Sequence, residues 1–253
     1  QRIIPIKTCS TCFYKQCTFC THYADVPYLE FNLENIKKTI INSGAKHVYF
    51  IDDMISRQRL DALAQMLKPL NVTWWCQLRP TKDLRGHLQE LYRSGLRSIA
   101  WGVESGNQRI LDLMKKGTKV EDIPAILEES HNAGIKNMVY AMFGFPTETK
   151  DEFMETLSFL KRNSASIDLV CTSVFGLQKR SPIYKNPLQF GITKVNLHKR
   201  TVLDEKITYL SESGLQNQDA KDLRRKYKLT LRNIHKVPQV FDYFKEQILV
   251  FET

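Results

Sequence analysis

The feature that most constrains this chain is an alternation of short apolar runs with amphipathic stretches, sustained from Arg2 to Val174. The runs Ile3–Lys7, His47–Ile51, Val72–Leu78, Ser98–Val103, Asn137–Phe143 and Ile167–Val174 are rich in Val, Ile and aromatic residues and short enough for strands. Between them, Leu33–Ser43, Arg57–Leu67, Asp83–Ser94, Val120–Ala133 and Lys150–Arg162 space their apolar residues as helices do. Gly44, Gly95 and Gly134 follow three of these helices, where a left-handed cap belongs. Six strands alternating with five helices predict an α/β fold with parallel pairing through right-handed crossovers. Strands apolar on both faces predict a sheet covered by helices. A doubly wound open sheet and a partial (β/α) barrel both satisfy this pattern. In either, ligands gather at the C-terminal ends of the strands.

After Val174 the character changes. Phe175–Thr193 reads as loop, with Pro182 and Pro187 as breakers; Asp219–Lys236 reads as a basic helix and Val240–Val250 as a last short element. The chain thus divides into a core, 1–192, and a basic, mainly helical extension, 193–253. The net charge of +10 draws on Lys221, Arg224, Arg225, Lys226, Lys228 and Arg232 in that extension. It favours an anionic partner such as phosphate, nucleic acid or an acidic peptide, although a solvated helix face accounts for the same residues. No run approaches the roughly 18 apolar residues of a membrane-spanning helix, and Arg2–Cys9 is too short for a signal peptide. The first residue is Gln, which predicts that residues, and a domain, precede it.

Four of the six cysteines, Cys9, Cys12, Cys17 and Cys20, crowd into the loop after the first strand. Cys76 and Cys171 lie in apolar runs, as small hydrophobes do. A large chain without a signal sequence points to a reducing, cytoplasmic compartment, so the crowding reads as metal binding before disulfides. Thiolates suit iron–sulfur clusters and zinc. Zinc knuckles usually separate two Cys-x2-Cys pairs by roughly 12 to 20 residues, and here four intervene. Three thiolates on one short loop instead suit three irons of a cubane, with the fourth iron open to a ligand.

The stretch from Cys12 to Cys20 resembles the signature of the radical S-adenosylmethionine (radical SAM) superfamily, with Phe19 as its aromatic residue before the last cysteine. The usual spacing is C-x3-C-x2-C; the first gap here is one residue longer, a variant associated with cobalamin-dependent and peptide-modifying members. Trp101–Gly117 is similar to the family segment GVESGSQRVLDLMKKG. Phe143–Thr149 resembles FGLPGET with Thr147 in place of glycine, and Ser181–Pro187 resembles the segment GSPLY with Arg180 in place of its glycine. The four segments occur in family order over about residues 1–192.

The resemblance implies a partial (β/α)6 TIM-like barrel with a 4Fe–4S cluster on Cys12, Cys17 and Cys20. It also implies S-adenosylmethionine bound through its amino and carboxylate groups at the open iron. One electron then cleaves the S–C5′ bond, giving methionine and a 5′-deoxyadenosyl radical that abstracts hydrogen from a substrate. A reductant such as flavodoxin or ferredoxin is implied as well. Phe19 is assigned to adenine, Asp53 to the methionine amino group, Arg79 to the carboxylate, and Glu104 with Ser105 to the amino or ribose groups. Met142 and Val174 are assigned to adenine, and Gly144 to close passage of the backbone past the ligand. Each has a plainer reading: loop packing for Phe19, a helix cap for one Asp of Asp52–Asp53, an Arg79–Glu104 salt bridge, and core for Met142 and Val174. Cys9, His22 and Tyr23 receive no role, and His131 and His235 read as surface. Within the family, a cobalamin-assisted methylation or cyclisation of an unactivated carbon is favoured over a methylthiotransferase acting on tRNA. Outside it stands a non-catalytic zinc or iron–sulfur module that binds nucleic acid.

Overall fold

The computed structural model describes residues 2–21, 26–203 and 206–251; His22 and Tyr23 lie outside them. Six strands, β1 (Ile3–Ile6), β2 (His47–Phe50), β3 (Thr73–Leu78), β4 (Leu96–Glu104), β5 (Lys136–Phe143) and β6 (Leu169–Val174), form one sheet in chain order. Every pairing is parallel. The crossovers carry α1 (Leu33–Ser43), α2 (Arg57–Leu67), α3 (Leu88–Arg93), α4 (Gln108–Leu113), α5 (Ile123–Asn132) and α6 (Lys150–Arg162). β1 and β6 do not pair, so the barrel is open. This is the partial (β/α)6 architecture.

Alternation along the strands builds two cores. Phe50, Trp74, Cys76, Trp101 and Val103 pack with Ile40, Leu60 and Leu63 of the helices. The opposite face carries Trp75, Ala100, Met138, Leu169 and Cys171, and there Val237, Phe241, Ile248 and Leu249 of the extension fill the interior. The helix ends follow local chemistry: Asn32 and Ser56 cap α1 and α2, and Thr149 with Glu152 forms a reciprocal cap on α6. At Gly95, φ is +104° and a Cβ would stand 2.1 Å from the Val72 carbonyl oxygen, so only glycine lets β4 start there.

Several elements differ from expectation, among them α4, which the sequence reading does not place, and the basic helix expected over Asp219–Lys236, which is two helices. The helix expected over Asp83–Ser94 is a 3-10 turn, Lys82–Leu84, and then α3, because Gly86 between them takes φ +82°. The loop after β6 holds a short helix, α7 (Pro182–Lys185). The extension opens with an antiparallel hairpin of β7 (Ile192–His198) and β8 (Lys206–Ser211), where the sequence reading finds no strand. Ile192, Val195, Ile207 and Tyr209 pack into one apolar cluster, but Lys, Thr, Asn and His between them break up the run that would mark a strand. The extension is otherwise helical: α8 (Asn217–Lys226), α9 (Lys228–Arg232), and α10 (Ile248–Phe251) after two 3-10 turns. Among the described residues no helix is long and apolar enough to cross a membrane.

Candidate functional site

The cysteine loop after β1 is fastened at both ends. At its start the Asp52 carboxylate, 2% exposed, accepts from the backbone N–H groups of Thr8 (2.8 Å) and Cys9 (2.9 Å) and from the Cys9 thiol (3.0 Å). Burial and Asp52 together push the Cys9 thiol well above its ordinary pKa. Cys9 and Asp52 therefore anchor the loop to β2. Neither Asp52 nor Asp53 caps α2; the Ser56 hydroxyl does, accepting from the Arg59 N–H. At the far end, the Thr18 N–H donates to the Met114 carbonyl at 2.9 Å, and the Ile183 N–H to the Thr18 carbonyl at 3.0 Å.

The half-buried Cys12 and Cys17, between these anchors, and Cys20, just past the second, line one cavity of about 210 Å³. Phe19, Asp53, Arg79 and Glu104 share its lining, joined by Tyr14 and Lys116. Among the described residues no three His, Cys, Asp or Glu side chains converge on a single-ion site; the thiols ring a cavity instead. Three soft donors in one cavity, with cations and carboxylates in the same lining, suit an anionic iron–sulfur cluster with one ligand position left for amino and carboxylate donors.

Glu104 reaches this cavity through an unusual backbone. It takes φ +65°, and the β4–β5 register slips between Gly102 and Glu104. Such left-handed conformations in a residue other than glycine cost about 1–3 kcal/mol and cluster at functional sites. Its carboxylate pairs with Lys116 Nζ at 2.7 Å, not with Arg79. Burial works against the Lys116 charge, but Glu104 and Cys17 outweigh it and hold its pKa above the ordinary value. Burial pushes the Cys17 thiol up, while Lys116 and Arg79 pull it back in part. Arg79 lies 3.5 Å over the Tyr14 ring and donates to the Lys116 carbonyl at 2.5 Å. The Tyr14 hydroxyl donates to the Lys115 carbonyl at 2.9 Å. Arg79 and Glu104 thus meet through Lys116, a residue the sequence reading leaves unassigned although it lies inside the Trp101–Gly117 segment.

The remaining candidates fall elsewhere. Ser105 is wholly buried, with its hydroxyl 3.0 Å from that of Thr156, and does not line the cavity. Met142 is buried in a cluster with Phe145 and Phe175, against which Phe19 packs. Gly144 takes φ +72°, and a Cβ there would meet Ala220 of α8 at 2.5 Å, so the close approach is to a helix. Its N–H donates to the buried Glu148 carboxylate. Val174 lines a second cavity, between β6 and the helices α8 and α9. His235 lines that cavity too and is partly buried, not a surface residue.

Comparison with known proteins gives this geometry a family. The model of the radical SAM superfamily matches residues 6–160, more than half of the chain. The chain is 26% identical over 193 residues to the tRNA-2-methylthio-N(6)-dimethylallyladenosine synthase of Thermotoga petrophila, covering 66% of this chain and 42% of that protein. Among solved structures it is similar to the radical SAM methyltransferase TsrM from Kitasatospora setae, with cobalamin and a 4Fe–4S cluster bound. There the TM-score is 0.66 at 17% identity, covering 78% of this chain and 42% of that one. It is also similar to the cobalamin-dependent radical enzyme OxsB, with a TM-score of 0.65 at 17% identity, covering 98% of this chain and 45% of that one. The chain spans less than half the length of each of these three proteins. With its matched core and its three-thiol loop, the chain belongs to the radical SAM superfamily.

Proposed function

We propose that this chain is the radical-generating core of an enzyme that cleaves S-adenosylmethionine reductively. The observation that carries the reading is the single cavity shared by Cys12, Cys17, Cys20, Arg79, Glu104 and Lys116. When bound, the cluster supplies one electron that breaks the S–C5′ bond of S-adenosylmethionine, yielding methionine and a 5′-deoxyadenosyl radical. The protein's part is to bind, orient and exclude water. Cys12, Cys17 and Cys20 hold three irons. Lys116 and Arg79 place positive charge against the anionic cluster. Arg79 pairs with the methionine carboxylate in a charge-assisted contact, Glu104 accepts from the amino group or the ribose hydroxyls, and Asp53, in the same lining, accepts from the amino group. The N–H groups of the cofactor's amino group then compete with Lys116 for Glu104, which frees Lys116 for the carboxylate side. Phe19 flanks the adenine, with Met142 behind it in the same apolar cluster.

The complete protein is proposed to work with cobalamin, methylating or cyclising an unactivated carbon. Its similarity in fold to TsrM and OxsB supports this, as does the long first cysteine gap. The second reading, a methylthiotransferase, draws on sequence similarity to the Thermotoga enzyme. In either case a flavodoxin- or ferredoxin-like protein supplies the electron in the cytoplasm. Spin-resonance spectra of the anaerobically reconstituted, reduced protein test the proposal: S-adenosylmethionine should shift the cluster signal, and an unchanged signal at saturating cofactor argues against it.

A further inference from the structure

Five of the six cations singled out in the C-terminal extension share one concavity. Lys221, Arg224, Arg225, Lys228 and Arg232 all line one cavity of about 650 Å³ between β6 and the helices α8 and α9. The facing wall carries Gln239, Asp242 and Tyr243. Among the described lining residues only Asp242 is acidic.

Part of this arrangement has a structural purpose. β6 is an edge strand, and edge strands expose unpaired N–H and C=O groups that proteins cover. Arg224 donates to the Thr172 carbonyl at 2.6 Å, and the Lys236 N–H donates to the Asp168 carbonyl at 2.8 Å. These contacts explain Arg224 and the docking of α8 and α9. They do not explain the other four cations. Lys221, Arg225, Lys228 and Arg232 stay exposed around the cavity, and Asp222, 3.3 Å from Arg225, is itself exposed. Like charges around one concavity repel one another and concentrate anions there.

The rest of the lining completes a pocket. Val170, Val174 and Leu231 add an apolar strip, and Tyr243 is 79% exposed. The volume lies within the roughly 300–1,000 Å³ of small-molecule pockets.

We propose that this cavity binds a small phosphate-bearing ligand of the nucleoside diphosphate class. The phosphates lie against Arg225, Lys228 and Arg232, and the flat apolar part lies against Tyr243 and Leu231. Walls on three sides, from β6, α8–α9 and residues 239–243, favour a compact ligand over a polymer that must enter and leave. The site is separate from the thiol-lined cavity and shares no lining residue with it.

Calorimetric titration of the full chain with ADP and with inorganic pyrophosphate, at low and at moderate salt, tests this. Both should bind, more weakly as salt rises. The triple variant Arg225→Gln, Lys228→Gln, Arg232→Gln should weaken ADP binding by about tenfold for each cation removed. Because these side chains are exposed, the triple variant should melt no lower than the parent and keep its S-adenosylmethionine cleavage. Absence of ADP and pyrophosphate binding at low salt, or equal affinity in the triple variant, would overturn the proposal. So would a single-stranded RNA of about twenty nucleotides that binds and that ADP does not displace, because the cations would then serve a polymer.

Discussion

Lys116 Nζ and Glu104 Oε1 stand 2.7 Å apart, with their side chains only 9% and 14% exposed, so the ion pair occupies the wall of the thiol-lined cavity. Breaking such a pair by removing one partner leaves an uncompensated charge and costs about 3–5 kcal/mol. Lys116→Met should therefore lower the melting temperature, and adding Glu104→Gln should restore much of the loss. Glu104→Gln and Arg79→Ala should each weaken S-adenosylmethionine binding by about ten- to a hundred-fold while iron content is kept. Cofactor titration and thermal melts on the same samples separate binding from stability. Unchanged affinity with a lower melting temperature would make Glu104 and Arg79 structural only.

The four cysteines of the loop should separate into two kinds. Cys12→Ala, Cys17→Ala and Cys20→Ala should each abolish the visible absorbance of the reconstituted cluster. Cys9→Ala should retain it and melt at a lower temperature, because the Cys9 thiol is spent on Asp52. Equal loss in all four variants, with zinc recovered by elemental analysis, would contradict the assignment.

Two positions where the family segments carry glycine hold Thr147 and Arg180 here, and both take left-handed backbone, φ +67° and φ +70°. The family preference thus has a conformational cause. Arg180 is exposed, so Arg180→Gly should stabilise the chain by about 0.5–1 kcal/mol after the extra unfolded-state entropy of glycine is subtracted. Thr147→Gly should gain less, because the Thr147 hydroxyl accepts from Arg109 at 3.2 Å. Denaturant midpoints measure both.

The buried Glu148 carboxyl gives stability a pH dependence. Burial pushes its pKa from 4.5 up to about 8. The folded state therefore keeps a proton that the unfolded state releases, so stability falls as pH rises from about 4.5 to about 8 and levels off above. The slope from this group is at most about 1.4 kcal/mol per pH unit. Glu148→Gln should flatten the decline in melting temperature across this window. Identical slopes in the two proteins would remove Glu148 as its cause.

Much of this was legible in the sequence, for reasons specific to each element. The six strands read clearly because parallel strands buried on both faces are continuous apolar runs, as in Trp74–Trp75–Cys76. The hairpin of Ile192–His198 and Lys206–Ser211 did not, because a ribbon covered on one face only carries Lys, Asn and His where a strand buried on both faces carries Val. The thiols of Cys12, Cys17 and Cys20 were legible because spacing on one loop is chemistry in itself. Lys116 was not: it meets Glu104 only because a left-handed residue and a register slip turn that carboxylate inward. Position after a strand also does not say which way a side chain faces, which is why Ser105 turns to Thr156 and Val174 to the basic cavity.

Product analysis tests most directly whether the thiol-lined cavity generates a radical from S-adenosylmethionine. Anaerobically reconstituted protein with full iron loading, reduced and incubated with S-adenosylmethionine, should slowly release 5′-deoxyadenosine and methionine even without substrate. The Cys17→Ala variant should release neither. S-adenosylhomocysteine must be followed in the same chromatogram, because a cobalamin-dependent methylation yields it. A fully iron-loaded protein that forms neither 5′-deoxyadenosine nor S-adenosylhomocysteine would contradict the account.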